Sequence, residues 1–169
     1  MYTLTDTAKA TILLCSHLSM TDRRYRPFTP LEWNKLGQVL IASEGKEPGR
    51  LLGMSAKEIQ EALKLSAMEA ERIEVLLARG VNVAFTLDML AKRSIFVVTK
   101  SDAAYPTALK QFLPPSKMPP VLFYCGDLSL AESDGIAIVG SRDLDTEGEQ
   151  ETKRLAAEAV HHGRQYTVF

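Results

Sequence analysis

The sequence predicts an α/β protein in which a helical first part, residues 1–93, precedes the beginning of a doubly wound parallel sheet, residues 94–169. Up to about residue 93, apolar residues recur at helical spacing behind clear helix-start signals. Beyond that point, short β-branched and aromatic runs without polar alternation follow, which is typical of strands buried on both faces of a parallel sheet. A chain of 169 residues accommodates one domain or two small ones.

Start signals predict the helices of the first part. Thr29 precedes Pro30 and stands three residues before Glu32, which is a capping box with proline at the first helical position. Ser55 and Ser66 begin further boxes of the form Ser-x-x-Glu. We expect a compact bundle of short helices that begin near Thr5, Thr29, Ser55, Ser66 and Phe85, with Gly80 ending the fourth of them.

Three apolar runs predict the strands of the second part, at residues 95–99, 121–126 and 135–140. A short loop follows the third strand, then a helix from about Glu147 to His162 and the beginning of a further strand at Tyr166. This strand–loop–helix–strand order is the opening βαβ unit of a doubly wound sheet.

The loop after the third strand is the candidate ligand site, because such sheets bind ligands beyond the carboxyl ends of their strands. Gly140 lets the backbone approach a phosphate, Ser141 can donate a hydrogen bond and Arg142 can bind phosphate through its planar fork. The start of the next helix adds unpaired N–H groups. The loop is neither GxGxxG nor a Walker loop, so no dinucleotide or other cofactor is predicted. The same residues also suit a tight turn beside a surface arginine.

The sequence gives little indication of a thiol, metal or membrane site. Cys15 and Cys125 are far apart and form no CxxC pair, which suits a reducing cytosol, and we expect Cys125 to be an inert buried thiol. The three histidines lack metal-ligand spacing, so no metal is predicted. No apolar run approaches the length of a membrane span, and the first residues lack the features of a secretion signal, so no membrane partner is expected.

The densest basic run is Arg23, Arg24 and Arg26, with Tyr25 interleaved, and these arginines are candidates for a second contact with DNA. A merely solvated loop is the alternative interpretation. We expect Trp33 to pack in the core, because Leu36 and Leu40 share its helical face.

Three spaced motifs resemble the DNA-processing protein A family (DprA, also called Smf). They are D-x-x-YP-x-x-L from Asp102, PP-x-L-[FY]-x-x-G from Pro119 and [IV]-A-[IV]-VG-[ST]-R ending at Arg142. The first half resembles the family's SAM-like helical domain at Leu51–Ala56 and Leu87–Leu90, so the resemblance covers nearly the whole chain.

The resemblance implies an extended Rossmann-like fold without a bound dinucleotide. It implies a non-enzymatic protein that binds single-stranded DNA, protects it and helps to load a RecA-type recombinase in recombination and transformation. Gly140, Ser141 and Arg142 would then belong to a basic phosphate-binding pocket. Single-stranded DNA and the recombinase are the implied partners, and a homodimer is the family's usual assembly.

Two features depart from the family pattern. The helix after the loop begins with acidic residues, and the net charge of −1 divides into +2 for residues 1–93 and −3 for residues 94–169. The family continues with a second Gly-rich segment, whereas this sequence stops at Phe169, so we expect a partial Rossmann-like domain without the usual dimer surface.

Two further functions remain open at this stage. A shortened sheet with an unpaired edge favours an interaction module that binds a partner or itself. An enzyme resembling nucleotide phosphoribohydrolases is the other, although the acidic catalytic motif that it requires after a Gly-rich loop is not found before Phe169.

Overall fold

A computed structural model describes residues 4–21, 24–43, 47–133, 135–136, 143–161 and 167–168. The protein is mixed α/β, as the sequence predicts, with helices in the first part and two small sheets further along the chain. The chain divides into two compact units, Met1–Gly126 and Asp127–Phe169. The first predicted strand lies in the first unit, and the domain boundary expected after residue 93 stays a prediction.

The described residues of the first unit form six α-helices and one 3-10 helix, Pro48–Leu51. The α-helices are α1 Asp6–Cys15, α2 Pro30–Ala42, α3 Ala56–Leu63, α4 Ala67–Leu77, α5 Gly80–Ala91 and α6 Thr107–Phe112. The capping boxes at Thr29, Ser55 and Ser66 all form. In each, the cap side chain accepts a hydrogen bond from the backbone N–H three residues later, and the glutamate at that position accepts one from the backbone N–H of the cap residue. The prediction for Gly80 is wrong: α4 already ends at Leu77, and Gly80 is the first residue of α5.

The core of the first unit forms around α1, whose Ile12 and Leu14 are fully buried. Ile73 and Leu76 of α4 are equally buried and belong to the same cluster. Trp33 packs against this cluster, as the sequence predicts. The 3-10 helix approaches α1 so closely that a Cβ on Gly49 would lie 2.8 Å from the Thr7 nitrogen, which only glycine permits.

Two strands of the first unit pair antiparallel, β1 Ile95–Thr99 with β2 Val121–Cys125, so the parallel pairing predicted for these runs is wrong. The connection between β1 and β2 reverses the direction of the chain. Beside the strand ends, the Lys100 N–H donates a hydrogen bond to the Pro120 carbonyl at 3.0 Å. Val97 and Val98, neighbours in β1 that point to opposite faces of the strand, are both buried, whereas β2 has no fully buried residue. The burial expected for both strands is therefore found only in β1.

The second unit contains the predicted βαβ order. Strand β3 Gly135–Ile136 and strand β4 Thr167–Val168 pair parallel, and helix α7 Thr146–His161 lies between them in the chain. Residues 137–140, the expected continuation of β3, lie outside the described residues. A 3-10 helix, Leu128–Glu132, precedes β3. The order strand, helix, strand is therefore confirmed in the described part of this unit.

Candidate nucleic-acid interface

The predicted phosphate loop falls between β3 and α7. Gly140, Ser141 and Arg142 lie outside the described residues, so their geometry stays a prediction. Beside them, the carboxylate Oδ1 of Asp145 accepts the N–H of Gly148 at 2.8 Å at the start of α7. One N–H group of the first helical turn is thus occupied by an acidic side chain of the protein itself.

The basic side chains in the body of α7 are paired along the helix. Lys153 Nζ contacts Glu149 at 2.6 Å, and Arg154 forms ion pairs with both Glu151 and Glu158. These carboxylates raise the pKa of Arg154. Lys153 and Arg154, in the described part of the second unit, are thus both paired with carboxylates of the same helix.

The first family motif builds the turn after β1. Asp102 Oδ2 accepts the backbone N–H of Thr99 at 2.7 Å and the Thr99 hydroxyl at 2.9 Å. The Asp102 N–H donates in return to the Thr99 carbonyl at 2.9 Å. The aspartate therefore serves as a turn residue rather than as a ligand-binding group.

Tyr105 joins the first motif to the second. Its side chain is 1% exposed, and its hydroxyl donates to the Pro119 carbonyl at 2.7 Å. Lys110 Nζ lies 5.5 Å from the centre of the ring. Burial raises the pKa of the Tyr105 hydroxyl, which keeps it protonated and able to donate. The two motifs thus hold the β1–β2 connection together, a structural role that sequence reasoning did not assign to them.

The predicted basic run lies in the segment that joins α1 to α2. We call residues 16–28 the basic loop; Asp22 and Arg23 lie outside its described residues. Arg24 and Arg26 are exposed and Tyr25 is half-buried. The Arg24 guanidinium lies 5.9 Å from the centre of the Tyr25 ring. The structure therefore presents two of the three predicted arginines to solvent, beside an aromatic ring.

Arg72 of α4 holds one end of the basic loop. Its Nε donates to the Arg26 carbonyl at 2.9 Å, and one terminal nitrogen donates to the Pro27 carbonyl at 3.1 Å. Its guanidinium also lies 4.1 Å from the centre of the Phe28 ring. Because the Phe28 N–H donates to the Leu14 carbonyl at 2.8 Å, the chain returns to α1 at this point.

Arg72 is oriented by an ion pair with Glu32, in which a guanidinium nitrogen lies 3.0 Å from a carboxylate oxygen. Hydrogen bonding from Arg72, together with the cap contacts of Thr29, lowers the pKa of Glu32 to about 2. A carboxyl whose pKa is lower in the folded than in the unfolded protein stabilises the fold at pH values above its pKa in the unfolded protein. This stabilisation is lost as the pH falls from about 4.5 towards 2, and it is small because the carboxylate is partly exposed.

Arg79 holds the other end of the basic loop and is 9% exposed. Its guanidinium donates to the Ser16 and Leu18 carbonyls, at 3.3 and 2.7 Å, and also to the Leu13 carbonyl. Its Nε donates to the Leu76 carbonyl at 3.0 Å. Burial lowers the pKa of Arg79, and among the described residues it forms no ion pair. The sequence gives no local signal for the contacts with Leu13, Ser16 and Leu18, because these acceptors are main-chain groups more than sixty positions away.

An apolar groove of about 900 Å³ lies between α1, α5 and β1. Phe96 and Tyr124 line it, with their ring centres 5.6 Å apart. On α5, Val81, Phe85 and Met89 form an exposed stripe at four-residue spacing, and Phe85 is 70% exposed. Exposed apolar residues grouped in this way are characteristic of interaction sites.

Other classes of site are not found in the part of the chain that the structure describes. No group of His, Cys, Asp and Glu side chains there is arranged to hold a metal ion, and no helix there is long and apolar enough to cross a bilayer. Burial raises the pKa of the Cys15 thiol, which makes it unreactive. The prediction that Cys125 is buried is wrong, because it is exposed at the end of β2.

Fold and candidate site together define a mixed α/β protein with a βαβ unit and a phosphate loop predicted between its strand and helix. The family model of DNA recombination-mediator protein A matches residues 96–168, from β1 to β4. This match confirms the resemblance to the DprA family, and it indicates a role in DNA processing or recombination. No curated protein and no solved structure matches the chain.

Proposed function

We propose that this chain is a non-enzymatic, cytoplasmic protein that binds single-stranded DNA, protects it and assists the loading of a RecA-type recombinase. The family match over residues 96–168 carries the proposal, because it includes the predicted loop of Gly140, Ser141 and Arg142. A loop that follows a strand and precedes a helix is a suitable place for a phosphate. Contacts to phosphate alone give binding that is independent of sequence and sensitive to salt.

Replacing Arg142 by alanine tests this proposal. We expect affinity for a fluorescently labelled oligothymidylate of roughly 20 nucleotides to fall about tenfold at low salt, because one charged phosphate contact is lost. Fluorescence anisotropy between about 50 and 200 mM salt measures the affinity and its salt dependence, whose slope should decrease by about 0.7. Arg154→Ala is the matched control, because Arg154 is already paired with two glutamates. Absence of binding by the wild type would contradict the proposal, and equal affinities for the wild type and Arg142→Ala would contradict the role of the predicted loop.

The apolar stripe of α5 favours a second candidate function, an interaction module that associates with a second copy of the chain. Three large side chains at helical spacing are exposed there, next to the apolar groove. Antiparallel packing of two such helices would bury the stripes against each other and align the helix dipoles favourably.

Self-association of this kind makes the apparent mass depend on concentration. We expect sedimentation velocity to show a shift from monomer to dimer with increasing concentration, and Phe85→Glu to abolish it, because a charge in an apolar contact is costly. Phe112→Glu is a control outside the stripe, since Phe112 is an exposed residue of α6. A wild-type monomer at all concentrations excludes this candidate.

A further inference from the structure

We propose that the β1–β2 connection, residues 100–120, is a contact for single-stranded DNA, in which lysines bind phosphates and the exposed ring of Phe112 stacks on a base. The site depends on the proposed function for its ligand, but its residues are separate from the predicted phosphate loop. Every residue of the connection belongs to the described part of the first unit.

Positive charge in the second half of the sequence is concentrated in this connection. Residues 94–169 carry a net charge of −3, whereas residues 100–120 contain Lys100, Lys110 and Lys117 and a single acidic residue, Asp102. The Asp102 carboxylate accepts hydrogen bonds from the backbone N–H and the hydroxyl of Thr99. The connection is therefore a locally positive segment in a half of the chain that is otherwise acidic, which favours an anionic ligand.

The lysines of the connection are not neutralised by carboxylates. None of the ion pairs among the described residues involves Lys100, Lys110 or Lys117, whereas Lys153 and Arg154 of α7 are both paired with glutamates. Lys110 and Lys117 are exposed, and Lys100 is half-buried. A cation without a carboxylate partner gives up no ion pair when it binds a phosphate, so the connection is a better phosphate contact than the body of α7.

The three lysines lie around one point of the connection, the contact between Tyr105 and Pro119. The Lys100 N–H donates at 3.0 Å to the carbonyl of the residue after Pro119. The Lys110 ammonium lies 5.5 Å from the centre of the Tyr105 ring, whose hydroxyl donates to the Pro119 carbonyl at 2.7 Å. Lys117 stands two positions before Pro119, which limits the distance between their Cα atoms to about 7 Å. One strand can therefore contact these cations together.

The connection is restrained before any ligand binds. Tyr105 and Met118 are 1% and 5% exposed, so their side chains anchor it in the interior. The N–H groups of Lys117 and Met118 both donate to the Pro114 carbonyl, at 2.9 and 3.1 Å, which closes a turn. Five residues of the connection are prolines, which fix the backbone angle φ. A restrained segment loses less conformational entropy when a ligand binds to it.

Phe112 provides the feature that favours a single strand over other anions. Its side chain is 80% exposed, at the end of α6, and Lys110 belongs to the same short helix. Unpaired bases stack on aromatic rings of this kind while neighbouring cations contact the phosphates, with little preference for sequence. An acidic peptide would bind the lysines without requiring an aromatic ring.

Variants of the full chain test the two kinds of contact separately, by anisotropy with the labelled oligothymidylate. Lys110→Ala/Lys117→Ala should weaken binding about tenfold at low salt and reduce the salt slope by about 1.4, because two phosphate contacts are lost. Phe112→Leu should weaken binding at least about fivefold without changing the slope, because stacking releases no counterions, and Phe112→Tyr should bind like the wild type.

The matched control for charge is Lys35→Ala/Lys57→Ala. It removes two exposed cations, from α2 and α3, that likewise form no ion pair among the described residues. We expect it to change affinity less than about twofold, because only phosphate contacts within the binding site contribute fully to the salt slope.

Failure of this contact is distinguishable from failure of the proposed function. If Arg142→Ala weakens binding and the variants of the connection do not, the contact is overturned and the proposed function stands. If only the variants of the connection weaken binding, the contact stands and the predicted phosphate loop is wrong. Equal losses in the two double-lysine variants, or wild-type affinity in Phe112→Leu, overturn the contact, because diffuse charge then explains the binding. No binding by the wild type at low salt overturns both.

Discussion

Replacing Arg79 by methionine is expected to lower the free energy of unfolding by about 3 kcal/mol or more, which is a large part of the stability of a small domain. The guanidinium donates hydrogen bonds to the carbonyls of Leu13, Ser16 and Leu18. When the side chain is removed, no other donor among the described residues replaces it. Each buried carbonyl left without a donor costs about 1–3 kcal/mol. Urea unfolding followed by the fluorescence of Trp33, the single tryptophan, measures the loss.

Methionine is the informative substitution because it keeps much of the apolar stem of arginine. Buried charged groups are often replaced by apolar residues without loss, but only when their partners are replaced as well. Here the partners are main-chain carbonyls, which no substitution removes. Arg93→Met, at an exposed position after α5, is the control and should change stability by less than about 0.5 kcal/mol. A loss below about 1 kcal/mol in Arg79→Met would show that water replaces the guanidinium and that the loop end is not held as described.

The helices were predictable because their determinants are local. Thr29, Ser55 and Ser66 each make their capping contacts with a glutamate three residues away, so the whole motif is visible in the sequence. The start of α5 was not predictable in the same way, because Gly80 resembles a helix terminator and Arg79 makes no side-chain cap contact with the helix. Its position depends on Arg79 binding α1 and the basic loop across more than sixty residues.

Strand pairing likewise has a part that depends on local sequence and a part that depends on contacts made elsewhere in the fold. The apolar runs that became β1 and β2 correctly indicated strands, but apolar content does not determine direction. Direction is set by the connection, which Asp102 and Tyr105 fold through contacts with Thr99 and Pro119. For β3 and β4 the intervening helix α7 is long enough to act as a crossover, so the parallel arrangement could be predicted.

For the candidate site, only the types of residue could be predicted from the sequence. The sequence indicates that Arg24 and Arg26 are basic and close to an aromatic residue, which is compatible with either a solvated loop or a nucleic-acid contact. The structure adds the hydrogen bonds by which Arg72 and Arg79 hold the two ends of the loop. Those residues belong to a different part of the sequence and carry no motif, so only the folded chain shows the relationship.

Tyr105 carries the second large expected effect. Replacing it by alanine should lower the free energy of unfolding by about 3–5 kcal/mol, because a fully buried aromatic ring is removed and a cavity remains. Replacing it by phenylalanine should cost only about 1 kcal/mol, since the ring stays and the Pro119 carbonyl loses its donor. Urea unfolding followed by circular dichroism measures both.

The comparison of the two Tyr105 variants separates a structural motif from a ligand-binding one. Tyr124→Phe is the control for the hydroxyl, because in the described part of the chain the Tyr124 hydroxyl makes no hydrogen bond to other residues, and it should leave stability unchanged within about 0.5 kcal/mol. If Tyr105 acts by holding the β1–β2 connection, Tyr105→Phe keeps the affinity and salt slope of the wild type for the oligothymidylate while its stability falls. If the affinity of this variant falls and its stability does not, the Tyr105 hydroxyl contacts the nucleic acid, and the first family motif is part of the binding surface rather than of its support.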